Sequence, residues 1–291
     1  MKRPWLVYGL AFIGGLVVFM ILVSFVVTLL IGLKDTGFGK PKIAVLEVKG
    51  IILDAQEYLP SIREIRERKD IRAVVLRIDS PGGAVGPVQE LFEDLKILRE
   101  KKPLVVSMGG VAASGGLYLA LAGQKIFASP GTITGSIGVM IQLANIEKLL
   151  EKVGISAEII KSGEFKDTGT SVRKLTPEER KYLQNKINQL HEQFVRAITE
   201  ERRLPPEKVR ALANGMIYTG EEALQHGLID ALGNLSLAIE EARKMANLER
   251  AEVVFFPPKK GIFHRLLGEA TSLQYRLFEY LHLKALYLIQ N

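Results

Sequence analysis

Two glycine-rich stretches hold the side chains best suited to chemistry. The first is Asp79-Ser80-Pro81-Gly82-Gly83, the second Gly109-Gly110-Val111-Ala112-Ala113-Ser114-Gly115-Gly116. Each follows an apolar, strand-like run and precedes a helical pattern. In α/β folds ligands gather beyond the carboxyl ends of strands, so both loops can open into one crevice. Ser114 then falls at a helix N-terminus, among residues small enough for a substrate backbone to come close. The amides of Gly83 and Gly115 are placed to point at a developing oxyanion. The plainer alternative is a pair of tight turns around a phosphate or around nothing. Neither loop matches the Gly-x-Gly-x-x-Gly or the Gly-x-x-x-x-Gly-Lys-Ser/Thr pattern.

A serine nucleophile needs a base. The chain has four histidines, and none is well placed to serve. His191 lies in the middle of a long polar helix and is expected to be exposed. His226 precedes Gly227 at a helix end, and His264 and His282 fall in a C-terminal amphipathic pattern. Their spacing also argues against a helical zinc pair, and the absence of cysteine excludes a thiolate nucleophile, a disulfide framework and an iron–sulfur cluster. Lysine is the remaining base, provided its amine is neutral. Lys161 and Lys166 both lie in Lys161-Ser162-Gly163-Glu164-Phe165-Lys166-Asp167. An ordinary lysine is a solvated surface group, and spacing alone selects neither.

These stretches, together with Thr134-Gly135-Ser136-Ile137-Gly138-Val139 and the later segment Gly220 to Asp230, occur in one order. Their combination resembles the signal peptide peptidase A family in its short, membrane-anchored bacterial and archaeal form. The similarity spans roughly residues 43–256. It implies an α/β fold of the Clp-protease/crotonase-like type, with repeated ββα units and an additional helical C-terminal region, preceded by one transmembrane helix. It implies a Ser-Lys dyad: Ser114 as nucleophile, Lys166 as base, Ser136 orienting the lysine amine, and Gly83 and Gly115 as oxyanion donors. No cofactor and no metal are implied. The substrates would be released signal peptides or other unfolded, apolar peptides, and copies would assemble into a ring or dome. Asp79 stands where many relatives have Asn, and a structural loop role is expected for it. Asp167, beside Lys166, is expected to point away from the amine, because a facing carboxylate would favour the charged form.

The elements that must position these residues alternate. Strands are expected at 43–48, 73–78, 104–107, 125–128 and 157–160, and helices near 57–69, 86–101, 113–122 and 144–153, which reads as parallel βαβ units. Thr176-Pro177-Glu178-Glu179 is a helix start with Thr as N-cap, Pro at N1 and Glu at N3, and the helix should run to about Arg203. Helices near 207–213, 220–226 and 235–246 and a strand at 251–256 follow. The organisation expected is an anchor and linker over residues 1–40, a peptidase domain over 41–258 and an amphipathic helical tail over 259–291.

Residues 4–33 carry no charge. At about 1.5 Å per residue they exceed the roughly 30 Å hydrocarbon core. The run is twice the usual apolar region of a cleaved signal peptide, so an uncleaved lipid anchor is expected. The short tail favours a cytoplasmic N-terminus, with the catalytic domain outside the cytoplasm at the cell membrane. The formal charge is +7, but signs alternate, as in Arg63-Glu64-Ile65-Arg66-Glu67-Arg68, and no basic cluster with interleaved aromatics marks a nucleic-acid groove. Three other readings stay open here: a crotonase-type acyl-CoA enzyme, a non-catalytic membrane scaffold, and a quality-control protease of envelope or membrane proteins with signal peptides as minor substrates.

Overall fold

The computed structural model describes residues 14–26 and 40–257. Most of the expected anchor and the tail over 259–291 lie outside the described residues. Residues 14–26 are helical. Among the described residues no helix is long and apolar enough to cross a membrane.

Long apolar runs in β1 (Lys42–Lys49), β2 (Ile71–Ser80) and β3 (Leu104–Ala112) form the centre of an eight-stranded sheet. Such runs suit strands covered on both faces. Alternation sorts their side chains: Ile43, Val45, Ala73, Val75 and Val105 face α8 (Leu235–Met245), packing on Ala238 and Ala242. Leu46, Leu76 and Val106 belong to the larger core on the opposite face. That core is closed by α1 (Leu59–Glu67), α2 (Val85–Lys101), α3 (Gly115–Ala120) and the long α5 (Pro177–Arg202). β8 (Glu252–Phe256) adds beside β1 in parallel.

β3 divides the sheet. Its first half pairs with β4 (Lys125–Ala128), which continues to β7 (Ala231–Leu232), whereas Val111 near its end pairs with Ile133 of β5 (Ile133–Gly135). β5 pairs antiparallel with β6 (Ile217–Thr219), and every other pairing is parallel. The expected parallel βα alternation is therefore present. β1, β2 and β3 are each followed by helix before the next strand, so this run does not display the expected ββα repeat; only β4 leads directly into a further strand, β5.

α5 begins as its sequence predicts. Thr176 Oγ1 accepts the Glu179 N–H at 3.1 Å and a Glu179 carboxylate oxygen accepts the Thr176 N–H at 2.9 Å. Three expectations are corrected. Residues 157–160 form no strand: they run as exposed coil, with Ile160 94% accessible, and among the described residues no strand pairs with them. The helix expected over 144–153 shortens to α4 (Glu147–Lys152), which buries no residue. His191 is half-buried, its Nε2 meeting the Ala213 carbonyl at 2.9 Å beyond α6 (Pro206–Leu212). His226 does end a helix, α7 (Gly220–His226), which Gly227 closes at φ +81°.

Candidate active site

Three strand ends converge on Ser114. The turn after β2 docks on the turn after β3 through Ala113 N–H to Ser80 O, at 3.1 Å. The end of β5 docks on the same turn through Ser114 N–H to Gly135 O, at 2.9 Å. Buried Thr134 reinforces this, its hydroxyl donating to Ala112 O at 2.6 Å. The serine itself sits at φ +51°, ψ −119°, as N-cap of α3. A side-chain-bearing residue adopts such a backbone only where its surroundings impose it, and such positions cluster at functional sites.

The glycines are there because backbone must pass close to backbone. A Cβ on Gly82, itself at φ +114°, would stand 2.8 Å from the Gly115 nitrogen and 3.0 Å from Ser114 Cβ. A Cβ on Gly83 would meet the Ile52 carbonyl oxygen at 1.9 Å, since Ile52 and Gly83 form a bridge. A Cβ on Gly115 would lie 3.2 Å from the Gly83 nitrogen, so the two amides are neighbours. Neither amide donates to a backbone carbonyl among the described residues. Two adjacent unengaged donors beside a serine oxygen are the arrangement that stabilises an oxyanion.

Beside them a cleft of about 30 Å³ is lined by Gly83, Val88, Ser114, Gly115, Tyr118 and Phe194. Tyr118 packs between Phe92 and Phe194, each ring centroid 5.0 Å away. Burial pushes the Tyr118 phenol above its ordinary pKa, so the hydroxyl stays neutral. A mostly apolar wall of this size favours a small, uncharged substrate side chain.

Ser136 follows Gly135 directly, at φ +50°, with its N–H donating to Met216 O at 2.7 Å. The structure thus gathers Ser114, Gly83 and Gly115 at one cleft and ties Ser136 to it through Gly135. Lys166 is elsewhere: exposed, on the loop before α5, and not among the residues lining that cleft. Lys161 is bound locally, donating to Glu164 O at 2.7 Å and pairing with Asp167 Oδ1 at 2.5 Å. Asp79 has the structural role expected, its Oδ1 accepting the Val111 N–H at 3.0 Å.

Sequence reasoning missed Arg173 as a member of this region. Its guanidinium bridges Asp167 Oδ2, at 2.7 Å, and both oxygens of Glu179, at 2.8 and 2.5 Å. Glu179 is drawn down to a pKa of about 2, chiefly by Arg173 and then by the Thr176 N–H. Asp167 is likewise held below its usual range, first by Lys161 and then by Arg173. The capping box marked Glu179 in the sequence, but only as a helix start. Among the described residues no group of three or more His, Asp or Glu could hold a metal ion.

An unengaged amide pair and a strained serine at the carboxyl ends of a mostly parallel sheet define a class, the serine-type peptidases. The pattern of Peptidase family S49 matches residues 96–249, and the chain belongs to this family. A candidate protease of Synechocystis sp., slr0021, is 42% identical over 239 residues, covering 81% of this chain and 86% of its own length. The chloroplastic serine protease SPPA of Arabidopsis thaliana is 38% identical over 70% of this chain, which spans 30% of that protein's length. The fold is also that of a solved structure, a lysine-to-alanine mutant of the 1510-N membrane-bound stomatin-specific protease in complex with a substrate peptide. That comparison has TM-score 0.51 and 18% identity and covers 81% of this chain and 100% of the other.

Proposed function

We propose that this chain is a membrane-anchored serine endopeptidase in which Lys166 is the base for Ser114, and that it degrades released signal peptides or similar apolar, unfolded chains. The observation that carries the reading is the adjacent, unengaged Gly83 and Gly115 amides beside Ser114. In the first step the neutral Lys166 amine takes the Ser114 hydroxyl proton as the oxygen bonds to the substrate carbonyl carbon. The carbonyl oxygen becomes an oxyanion between the two amides. The ammonium then returns the proton to the leaving nitrogen as the C–N bond breaks, and water releases the acyl group by the same route. Ser136 orients the amine.

Lys166 reaches Ser114 by assembly. No residue from 138 to 178 is buried, although this stretch contains Met140, Ile141, Leu149, Val153, Ile155, Ile160 and Phe165. Apolar side chains exposed on this scale favour a protein partner. The proposed partner is a second copy, in a ring or dome, with this stretch carrying Lys166 to the neighbour's cleft. Anchoring is supported by the uncharged run over residues 4–33 and by the helix over 14–26, whose Phe19, Ile21, Leu22 and Phe25 are all exposed. The catalytic domain is placed outside the cytoplasm.

The test uses the full chain in detergent with a synthetic signal peptide, cleavage sites being read by mass spectrometry. Cutting within the apolar segment by wild type, but not by Ser114→Ala or Lys166→Ala, is expected. A Lys166→Ala protein that cuts while Lys161→Ala does not would identify the wrong base.

A further inference from the structure

A base that works as a neutral amine is poorly served by a carboxylate one residue away. An opposite charge within about 4–6 Å holds an amine protonated. Asp167 follows Lys166 directly, yet both of its oxygens are already engaged. Oδ1 accepts from Lys161 Nζ at 2.5 Å, and Oδ2 from Arg173, at 2.8 Å through Nε and 2.7 Å through Nη2. The same guanidinium grips Glu179, whose side chain is 2% exposed and which also accepts from the Thr168 hydroxyl at 3.3 Å. Two cations thus balance two carboxylates, and the loop carrying Lys166 is fastened to the first turn of α5. Phe165 adds a second fastening, its ring lying 5.2 Å from that of Tyr182 on α5. The other charged groups on the two elements are Glu158, Glu164 and Lys174 on the loop and Glu178, Arg180, Lys181 and Lys186 along the start of α5.

We propose that Lys161 and Arg173 are positioning residues for the base: by occupying both oxygens of Asp167 they withhold that carboxylate from the Lys166 amine and fix the loop on α5. This rests on the reading of Lys166 as the base of Ser114. Lys161, which the sequence offers as a rival base, becomes a partner of the true one. The arrangement also accounts for two lysines and an aspartate within seven residues: each cation has a separate task.

The experiment is the pH dependence of kcat/KM for signal-peptide cleavage by the full chain in detergent. Wild type is compared with Lys161→Gln, Asp167→Asn and the double variant, with Ser114→Ala and Lys166→Ala as controls. Lys161 is exposed, so its replacement leaves the fold standing. Freeing Oδ1 in Lys161→Gln moves the rising limb upward by about one pH unit, a loss of about tenfold on the acid side of that limb. The double variant, having no carboxylate to release, returns the limb to the wild-type position. Arg173→Lys keeps the charge without the fork, and is expected to leave the limb in place while lowering the maximal rate. A Lys161→Gln profile that falls in height without moving overturns the proposal, as does a double variant that stays shifted like the single. Activity retained in Ser114→Ala or Lys166→Ala overturns the dyad and this proposal together, and is told apart by those controls alone.

Discussion

Ser114 owes its exposure to a backbone conformation that its neighbours hold from both sides: its N–H is taken by Gly135 O and its own carbonyl by the Tyr118 N–H at 2.9 Å. Strain of this kind costs about 1–3 kcal/mol. Alanine meets the same strain, so Ser114→Ala should leave the thermal midpoint close to wild type while cleavage falls by about 10⁴-fold or more. Gly83→Ala should behave differently. Its Cβ cannot avoid the Ile52 carbonyl without moving backbone, so the Gly83 amide is displaced. Loss of one oxyanion donor lowers kcat by about 10²–10³, and the overpacking destabilises by about 1–3 kcal/mol. Peptide kinetics with a urea melt on the same sample would separate the two effects, and an unchanged kcat would remove Gly83 from the site. The close approach of the two loops was legible in the sequence because backbone that must pass against backbone leaves its mark as glycine, at Gly82, Gly83 and Gly115. The placement of Lys166 was not, since spacing along the chain does not say which surface a loop will meet. Arg173 was invisible for the same reason: a surface arginine shows its partners only once α5 lies against the loop.

Elements with a local signal formed where expected. The capping box of α5, the Gly227 stop of α7 and the double-faced apolar runs of β1 to β3 are written in a few neighbouring residues each. Elements defined by distant partners were lost. β5, β6 and β7 have three, three and two residues, too few for periodicity to register, and exist because β3 forks: β5 pairs with its end and carries β6, while β4 pairs with its first half and carries β7. The converse error, a strand over 157–160, came from apolar residues that pair with no strand among the described residues. The head of α5 makes a testable case of how a local signal acquires a distant role. Glu179 titrates at about 2 in the folded chain against an ordinary 4.5, so its folded-state preference is for the carboxylate. The stabilisation is therefore full above about pH 4.5 and is lost as pH falls through about 2. Glu179→Gln should lower the thermal midpoint at pH 7, with the gap to wild type closing as the pH approaches 2. A gap that stays constant over this range would mean that packing, rather than the Arg173 and Thr176 partners, sets the contribution of Glu179.

Among the described residues, a cleft holds the proposed nucleophile and oxyanion donors, and a long unburied stretch holds the proposed base. Both facts are explained if like copies meet head to tail, the stretch from 138 to 178 of one against the cleft of the next. A heterologous contact of this type closes into a ring when the rotation per copy allows it. Each site then takes Ser114 from one copy and Lys166 from its neighbour, and the consequence is quantitative. Full-length Ser114→Ala and Lys166→Ala proteins should each be inactive, because every site lacks one partner. When they are co-assembled in equal amounts, a site works only if an intact Ser114 faces an intact Lys166, which random mixing along a head-to-tail interface gives for about one site in four. Recovery of about a quarter of wild-type cleavage is therefore expected, rising from nothing as the copies exchange. If the loop instead folds back onto its own cleft, each copy contains its own defect and mixing restores no activity at any ratio. A third variant sharpens the distinction. Ile160→Asp places a charge on the most exposed apolar residue of the stretch, and should lower both the assembly size and the cleavage rate while leaving the monomer folded. Sedimentation and kinetics on that variant must fall together if assembly is what brings the lysine to the serine.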